Sequence, residues 1–598
     1  MNYRSDIQVL RGISVLFVVL YHLGFQVFKS GFLGVDIFFV ISGFLMAVLY
    51  DKEKKLHFLE RRAKRLLPAY YVVILATLII SFSINTLNEI RQVVEQTIYA
   101  SLFLSNVGFW LQNSYFDTSA FKPLLHLWSL GVEIQFYLIV PFLAWFFYKS
   151  KSFIFVFFLA SLALCFLIVS ISPKTSFFMM PLRIWEFLIG YGAAIFFTMK
   201  GNVRYTKYQF LGLVGLIGLV FVPFISIEAS SLSFITGHPG LLSLIISLST
   251  GLVLIFGLSN KLSESFFGKV FVTLGKYSYS IYLVHFPIIV LYLSKPFGGT
   301  SITIENLSSL LTLFFLIAIS AFLLYRYVEC YKSNFNFFKL SIVTSFSLIV
   351  LSLMLSTIKS NFISIEEKYI FEAFTDRSQY RCGKITRIIN PSAISCELTG
   401  LEGNKLNKKI MLVGNSHADS IKSTFTDVAK ENNSSLHFLV SNRPLMKGSL
   451  LPEIVINEAK SKGITHIYLH HSASAFSYEI IKSTVDLAEV EGMKVVFLEP
   501  VPVWPEHIPE MMYKNIKNNN VIISKTKQQY FEEYEYLFSN ISKINNSNFK
   551  RLSIVDEFCN PNCLYQDEGG RPLYFDNNHL TLTGSKLIRD SLLKSISE

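Results

Sequence analysis

The chain has 598 residues, of which 52% are hydrophobic and 16% charged, with a formal net charge of +12. So apolar a composition excludes an ordinary soluble protein and a disordered one; it describes a chain of many membrane spans carrying a polar appendage. The basic residues gather in short loops between apolar runs, where membrane orientation and acidic lipid headgroups account for them, and nucleic acid is not called for.

A hydrocarbon core of roughly 30 Å needs about 20 apolar residues in a helix. Such runs lie at 11–28, 31–50, 67–84, 124–148, 152–171, 182–199, 209–225, 240–257, 270–293, 304–327 and 338–357, which makes eleven expected spans. The 98–111 stretch is apolar but broken by Asn106 and Gly108, with Gln112 following, and reads as re-entrant. Between the second and third spans lie Lys52, Lys54, Lys55, Arg61, Arg62, Lys64 and Arg65, which put that loop and the N-terminus in the cytoplasm. An odd number of spans then delivers the C-terminal part to the extracytoplasmic side. The first run carries Arg11 and His22 and lacks a small-x-small cleavage site, so it reads as a retained helix.

From about Ile358 the chain turns polar. The expected division is a membrane domain at 1–337, an additional span at 338–357, a periplasmic linker at 358–408, too long for a simple connection and expected to contain structure of its own, and a soluble domain at 409–598. Four cysteines fall in the polar part. Cys382/Cys396 and Cys559/Cys563 read as two disulfides, which persist outside the cytosol. Zinc is the rival reading, although neither pair has Cys-x-x-Cys spacing. Cys165 and Cys330, in or beside spans, read as free.

Ionisable residues inside spans cost roughly 2.5 kcal/mol or more and are kept where they line a cavity or find a partner. Arg11 and His22 are eleven residues apart, about three turns and 16 Å along one helix face. Asp36, His126, Glu133, Arg183, Glu186 and His285 add to them. Each alone reads as an anchor or a satisfied interior group; a set of this size implies a polar cavity.

In the soluble part, Ile410 to Val413 reads as a buried strand that delivers Ser416 to a strand-to-helix turn, with a helix over Ile421 to Ala429. Further strands are expected at 436–440, 467–469 and 494–498. This alternation predicts an α/β three-layer domain with a parallel sheet. Asp576 and His579 stand three residues apart. Together with Ser416 they have the residue types of a triad, with His579 the base and Asp576 its orienting partner. A serine capping a helix and a surface histidine are the plain alternatives. Asn442 is the oxyanion candidate; His470 and His471 lack a third ligand, and no metal is expected.

Arg11 with His22, the Gly34 to Phe44 run, Arg62-x-x-Arg65-Leu66-Leu67-Pro68, the His126 to Glu133 run and the Leu274 to His285 run resemble the acyltransferase family 3 membrane proteins. The polar domain resembles the SGNH hydrolase-like domain fused to some of them. Asn415 stands where that pattern has Asp. The resemblance implies O-acyl transfer across a bacterial inner membrane, from cytoplasmic acetyl-CoA (or another acyl-CoA) to hydroxyls of a surface polysaccharide, with lipopolysaccharide O-antigen the leading acceptor. It implies donor binding by Arg62 and Arg65 with Arg11, and His22 as general base or transient relay. Asp36, His126, Glu133, Arg183 and Glu186 would shape the cavity, and Ser416, Asp576 and His579 would act outside. Peptidoglycan or another exported glycan, a tethered esterase, and a transporter or receptor are the competing readings.

Overall fold

The computed structural model describes residues 4–50, 55–112, 120–199, 208–227, 231–300, 303–331, 337–378, 394–401, 406–439, 445, 450–472, 477–518 and 524–598. The chain divides into two compact units, residues 1–361 and 362–598.

The first unit is helical: α1 Ser5–His22, α2 Gly34–Leu49, α3 Lys55–Ile84, α4 Leu87–Ser101, α5 Ser105–Leu111, α6 Leu127–Lys149, α7 Ser152–Val169, α8 Pro173–Phe178, α9 Ile184–Met199, α10 Gln209–Phe221, α11 Leu241–Phe256, α12 Asn260–Glu264, α13 Phe266–Tyr292, α14 Leu307–Leu324 and α15 Phe337–Phe362. Each expected span falls on one of these helices. Among the described residues, however, seven helical stretches are long and apolar enough to cross a membrane, fewer than the eleven expected. The apolar parts of α9, α10 and α11 are shorter than 18 residues, and α13 carries Lys269 and Lys276. The 98–111 stretch holds the end of α4 and the seven-residue α5. At about 1.5 Å per residue α5 rises roughly 10 Å, too little to cross.

Several helix pairs approach closely because glycines face backbone. A Cβ on Gly12 would lie 2.2 Å from the carbonyl oxygen of Phe271, and one on Gly275 would lie 2.0 Å from that of Gln8, so α1 and α13 meet backbone to backbone. Gly43 and Gly190 do the same for α2 and α9. Small residues at membrane-helix contacts allow this approach.

Among the described residues the second unit is built on six strands, β1 Ser395–Glu397, β2 Lys409–Gly414, β3 Ser435–Leu439, β4 His466–His470, β5 Lys494–Leu498 and β6 Phe549–Leu552, in the order β1-β3-β2-β4-β5-β6. The sheet is mixed rather than parallel throughout: β1 pairs antiparallel with β3, and the other neighbours are parallel. This edge strand is three residues long and comes from the 358–408 linker segment, which was expected to hold structure of its own but not a strand of this sheet. The same segment contributes α16 Ile365–Glu372, whose Phe371 ring packs 5.7 Å from Tyr513. Cys559 and Cys563 are bonded to each other. Cys396 is also disulfide-bonded, while Cys382 lies outside the described residues. Cys165 and Cys330 are free thiols.

Candidate active site

The strand β2 is buried from Ile410 to Gly414 and ends against β4; a Cβ on Gly414 would sit 1.8 Å from the carbonyl oxygen of His470. The chain then turns at once into the helix Ser416–Glu431. Asn415 caps that helix, its Oδ1 accepting the N–H of His417 at 3.1 Å and of Ser472 at 3.3 Å, while its Nδ2 donates to Ser472 Oγ at 2.9 Å. An amide therefore suffices where the family pattern has a carboxylate. Ser416 is left exposed in the first helical turn, at the positive end of the helix dipole, which favours developing negative charge.

His579 Nε2 lies 2.6 Å from Ser416 Oγ, and His579 Nδ1 lies 2.6 Å from Asp576 Oδ2. The structure thus brings the three residues into one hydrogen-bonded chain. The other carboxylate oxygen, Asp576 Oδ1, accepts the backbone N–H groups of Asn578 and His579 at 2.9 and 2.7 Å. Burial pushes the Asp576 carboxyl up, but the hydrogen bond and charge of His579 and these two N–H groups outweigh it, so its pKa lies below the usual carboxylate value. An ionised Asp576 holds the proton on Nδ1 and leaves Nε2 to receive one from Ser416. Phe575 stacks on the His579 ring, 5.4 Å away and nearly parallel. Behind the site, His417 and His470 are buried, their rings 6.1 Å apart, and the His417 ring is 4.7 Å from that of His579. Burial is the first cause that pushes both imidazoles down, His470 to about 4. Asn442 lies outside the described residues.

In the first unit a cavity is lined by Arg11 of α1, Arg62 and Arg65 of α3, and Glu133 and Tyr137 of α6. Arg62 and Arg65 are three residues apart, hence on one helix face. The Glu133 carboxylate accepts from Ser42 Oγ and Tyr137 OH. Tyr279 OH donates to Leu66 O at 2.7 Å, joining α13 to α3 beside the arginines.

His22 and His126 do not line that cavity. They form a second group with His285, all three buried. His22 Nδ1 faces His285 Nε2 at 3.2 Å, and the His126 ring stands edge-on to His285 at 5.7 Å. Asp36, Arg183 and Glu186 also lie outside the arginine cavity. They make a buried ion cluster in which Arg183 donates to Asp36 Oδ1 and, at 3.1 and 3.2 Å, to Glu186 Oε2, and His238 stands 3.3 Å from Arg183 Nη1. The sequence-based reading missed Ser42, Tyr137 and His238. Nothing in their spacing marks them; what marks them is the neighbouring buried carboxylate or arginine. Among the described residues no group of three or more His, Cys, Asp or Glu is placed to hold a metal ion.

Residues 4–326 match the acyltransferase domain family, more than half of the chain. The chain belongs to that family. Residues 381–594 match the SGNH domain that occurs fused to it. The chain is 31% identical over 354 residues to the O-acetyltransferase OatA of Staphylococcus aureus (strain NCTC 8325 / PS 47), an alignment covering 55% of this chain and 57% of that protein. It is 32% identical over 315 residues to the putative O-acetyltransferase SAS0844 of Staphylococcus aureus (strain MSSA476), covering 48% and 51%. The chain thus spans a little over half the length of these relatives. The periplasmic domain of the lipopolysaccharide acetyltransferase of Salmonella ser. Paratyphi A superposes with a TM-score of 0.31 at 17% identity, covering 40% of this chain and 99% of that one, too slight a likeness to build on.

Proposed function

We propose that this chain is a membrane O-acyltransferase that moves an acetyl group from cytoplasmic acetyl-CoA to a hydroxyl of an exported polysaccharide. The observation that carries this is the pairing, in one chain, of a three-arginine cavity among membrane helices with a Ser416–His579–Asp576 hydrogen-bond chain in a separate domain. Family membership and two relatives named as O-acetyltransferases support it. The chain crosses the inner membrane eleven times, with the N-terminus cytoplasmic and the second unit periplasmic.

Arg11, Arg62 and Arg65 bind the donor's phosphates, since a guanidinium offers two parallel donors to one anion. His22 accepts the proton of a carrier hydroxyl that attacks the thioester carbonyl and passes it to the CoA sulfur, so that CoA departs as the thiol and the acetyl group is left as an ester on the carrier. In the second unit Ser416 Oγ attacks the carbonyl of that carrier ester as its proton passes to His579 Nε2, which gives it to the departing carrier oxygen. A sugar hydroxyl then attacks the Ser416 ester, His579 takes the hydroxyl proton, and Ser416 Oγ regains one as it leaves. The proposed acceptor is lipopolysaccharide O-antigen, with peptidoglycan or another exported glycan as the alternative within the same chemistry. A tethered esterase would use the exposed Ser416 equally well but would leave the arginine cavity idle.

The test uses the purified full chain in proteoliposomes given acetyl-CoA and isolated O-antigen. Acceptor-dependent release of CoA thiol together with new O-acetyl ester on the glycan is expected. Loss of pre-existing ester, with no dependence on acetyl-CoA, would make the protein an esterase instead.

A further inference from the structure

A catalytic base must be held on its nucleophile, and here the two come from distant parts of the chain, His579 standing 163 residues after Ser416. Asp576 lies on the same loop as His579, so their hydrogen bond orients the ring but moves with it. The distance to Ser416 is set by whatever anchors that loop to the rest of the domain. The loop closes on itself through the Phe575 N–H, which donates to the carbonyl oxygen of His579 at 3.0 Å. The chain after β5 holds its middle: the N–H groups of Trp504 and Ile508 donate to the carbonyl oxygens of Asn577 and Asp576 at 2.8 and 3.1 Å.

Two neighbouring residues of the segment expected to be linker meet its flanks. Asp376 takes the C-terminal one. Its carbonyl oxygen accepts the N–H of Leu582 at 2.7 Å and its Oδ2 accepts that of Thr583 at 3.0 Å, at the start of the helical turn Leu582–Ser585. N–H groups in a first helical turn have no partner inside the helix, and Asp376 supplies one. Arg377 takes the N-terminal flank. Its guanidinium carbon lies 5.4 Å from the centre of the Phe575 ring, close enough for a cation–π attraction, and that ring stacks on the His579 imidazole. The segment carrying both residues is packed into the second unit: Ile370 and Phe371 of α16 are buried, Arg571 lies over the Tyr369 ring at 5.4 Å, and Lys517 Nζ is 3.7 Å from Glu367 Oε2. Yet positions 376 and 377 precede residue 381, where the SGNH match begins.

We infer that Asp376 and Arg377 are positioning residues for His579: from outside the stretch that matches the SGNH domain they clamp both flanks of its loop and hold Nε2 on Ser416 Oγ. This rests on the reading of Ser416, His579 and Asp576 as a triad.

The assay is turnover of para-nitrophenyl acetate by the purified full chain in proteoliposomes, with KM and kcat resolved. The double variant Asp376→Ala with Arg377→Ala should lower kcat about tenfold at unchanged KM, because a misplacement of about 1 Å costs about 100-fold and the Trp504 and Ile508 anchors remain. The pair Asp376→Asn with Arg377→Lys keeps an acceptor oxygen and a cation, and should stay within about twofold of wild type. Equal loss in both pairs, or a wild-type kcat in the alanine pair, would overturn the inference. Ser416→Ala keeps the two readings apart. If it still turns the ester over, the triad reading itself fails; if it is inactive while the alanine pair is fully active, the triad stands and the positioning role falls. Hydrogen exchange of the unsubstituted full chain reads the contact independently of any variant's folding. Slow exchange of the Leu582 and Thr583 amides is expected, and exchange at the rate of an unstructured peptide would contradict it.

Discussion

Ser416 is exposed, and the two groups that would activate it are each held by a second bond. Asp576 spends one oxygen on backbone N–H groups and the other on His579, so its orientation does not depend on the imidazole alone. Asp576→Asn should leave the fold intact and lower transfer by about a thousandfold or more, because the wrong tautomer of His579 becomes available; steady-state kinetics beside a circular dichroism spectrum checks both halves. At this scale the sequence was informative wherever chemistry breaks a pattern. Arg11, Arg62, Arg65 and Glu133 are conspicuous as charges in or next to apolar runs, and the structure gathers them in one cavity. Asp36, Arg183 and Glu186 were equally conspicuous, yet they pair with one another elsewhere. Charge in a span announces that a partner exists, not which one.

Elements show where close packing decides chemistry. The contact between His22 and His285 exists because α1 and α13 touch through Gly12 and Gly275. Gly275→Leu should force these helices apart and abolish acetyl-CoA-dependent turnover while the esterase activity of the second unit on a small acetyl ester survives; loss of both activities would show a global fold defect instead. The strands β2 to β5 were legible as short apolar runs because a parallel strand covered on both faces has no alternation to hide it. The antiparallel β1 was not, since three residues carry no period. Buried histidines add a pH dependence to the second unit. His470 is pushed down to about 4 by burial, so the folded domain binds no proton there while the unfolded chain does below about 6.5. Stability is full above that value and falls as pH drops toward 4, by up to roughly 3 kcal/mol. Hydrogen exchange of the 409–470 peptides should accelerate over that window in wild type and less so in His470→Gln.

For the whole molecule, topology decides which side of the membrane each site faces. Counting apolar runs yields eleven crossings, whereas among the described residues seven stretches are both long and apolar enough, the apolar parts of α9, α10 and α11 being short. With eleven crossings Cys330, an exposed free thiol just past α14, lies in the cytoplasm. A membrane-impermeant maleimide should label it in inverted vesicles and not in intact spheroplasts; labelling of spheroplasts would place the second unit on the cytoplasmic side. The central claim is that one chain joins a cytoplasmic donor to an outer acceptor through His22 and Ser416. Its most direct test is mass spectrometry and proton NMR of the surface glycan from cells carrying wild type, His22→Ala or Ser416→Ala at matched expression. The account predicts an O-acetyl signal with the wild type and its loss in both variants. Persistence of the signal in both, or an increase in the Ser416→Ala cells, would contradict it.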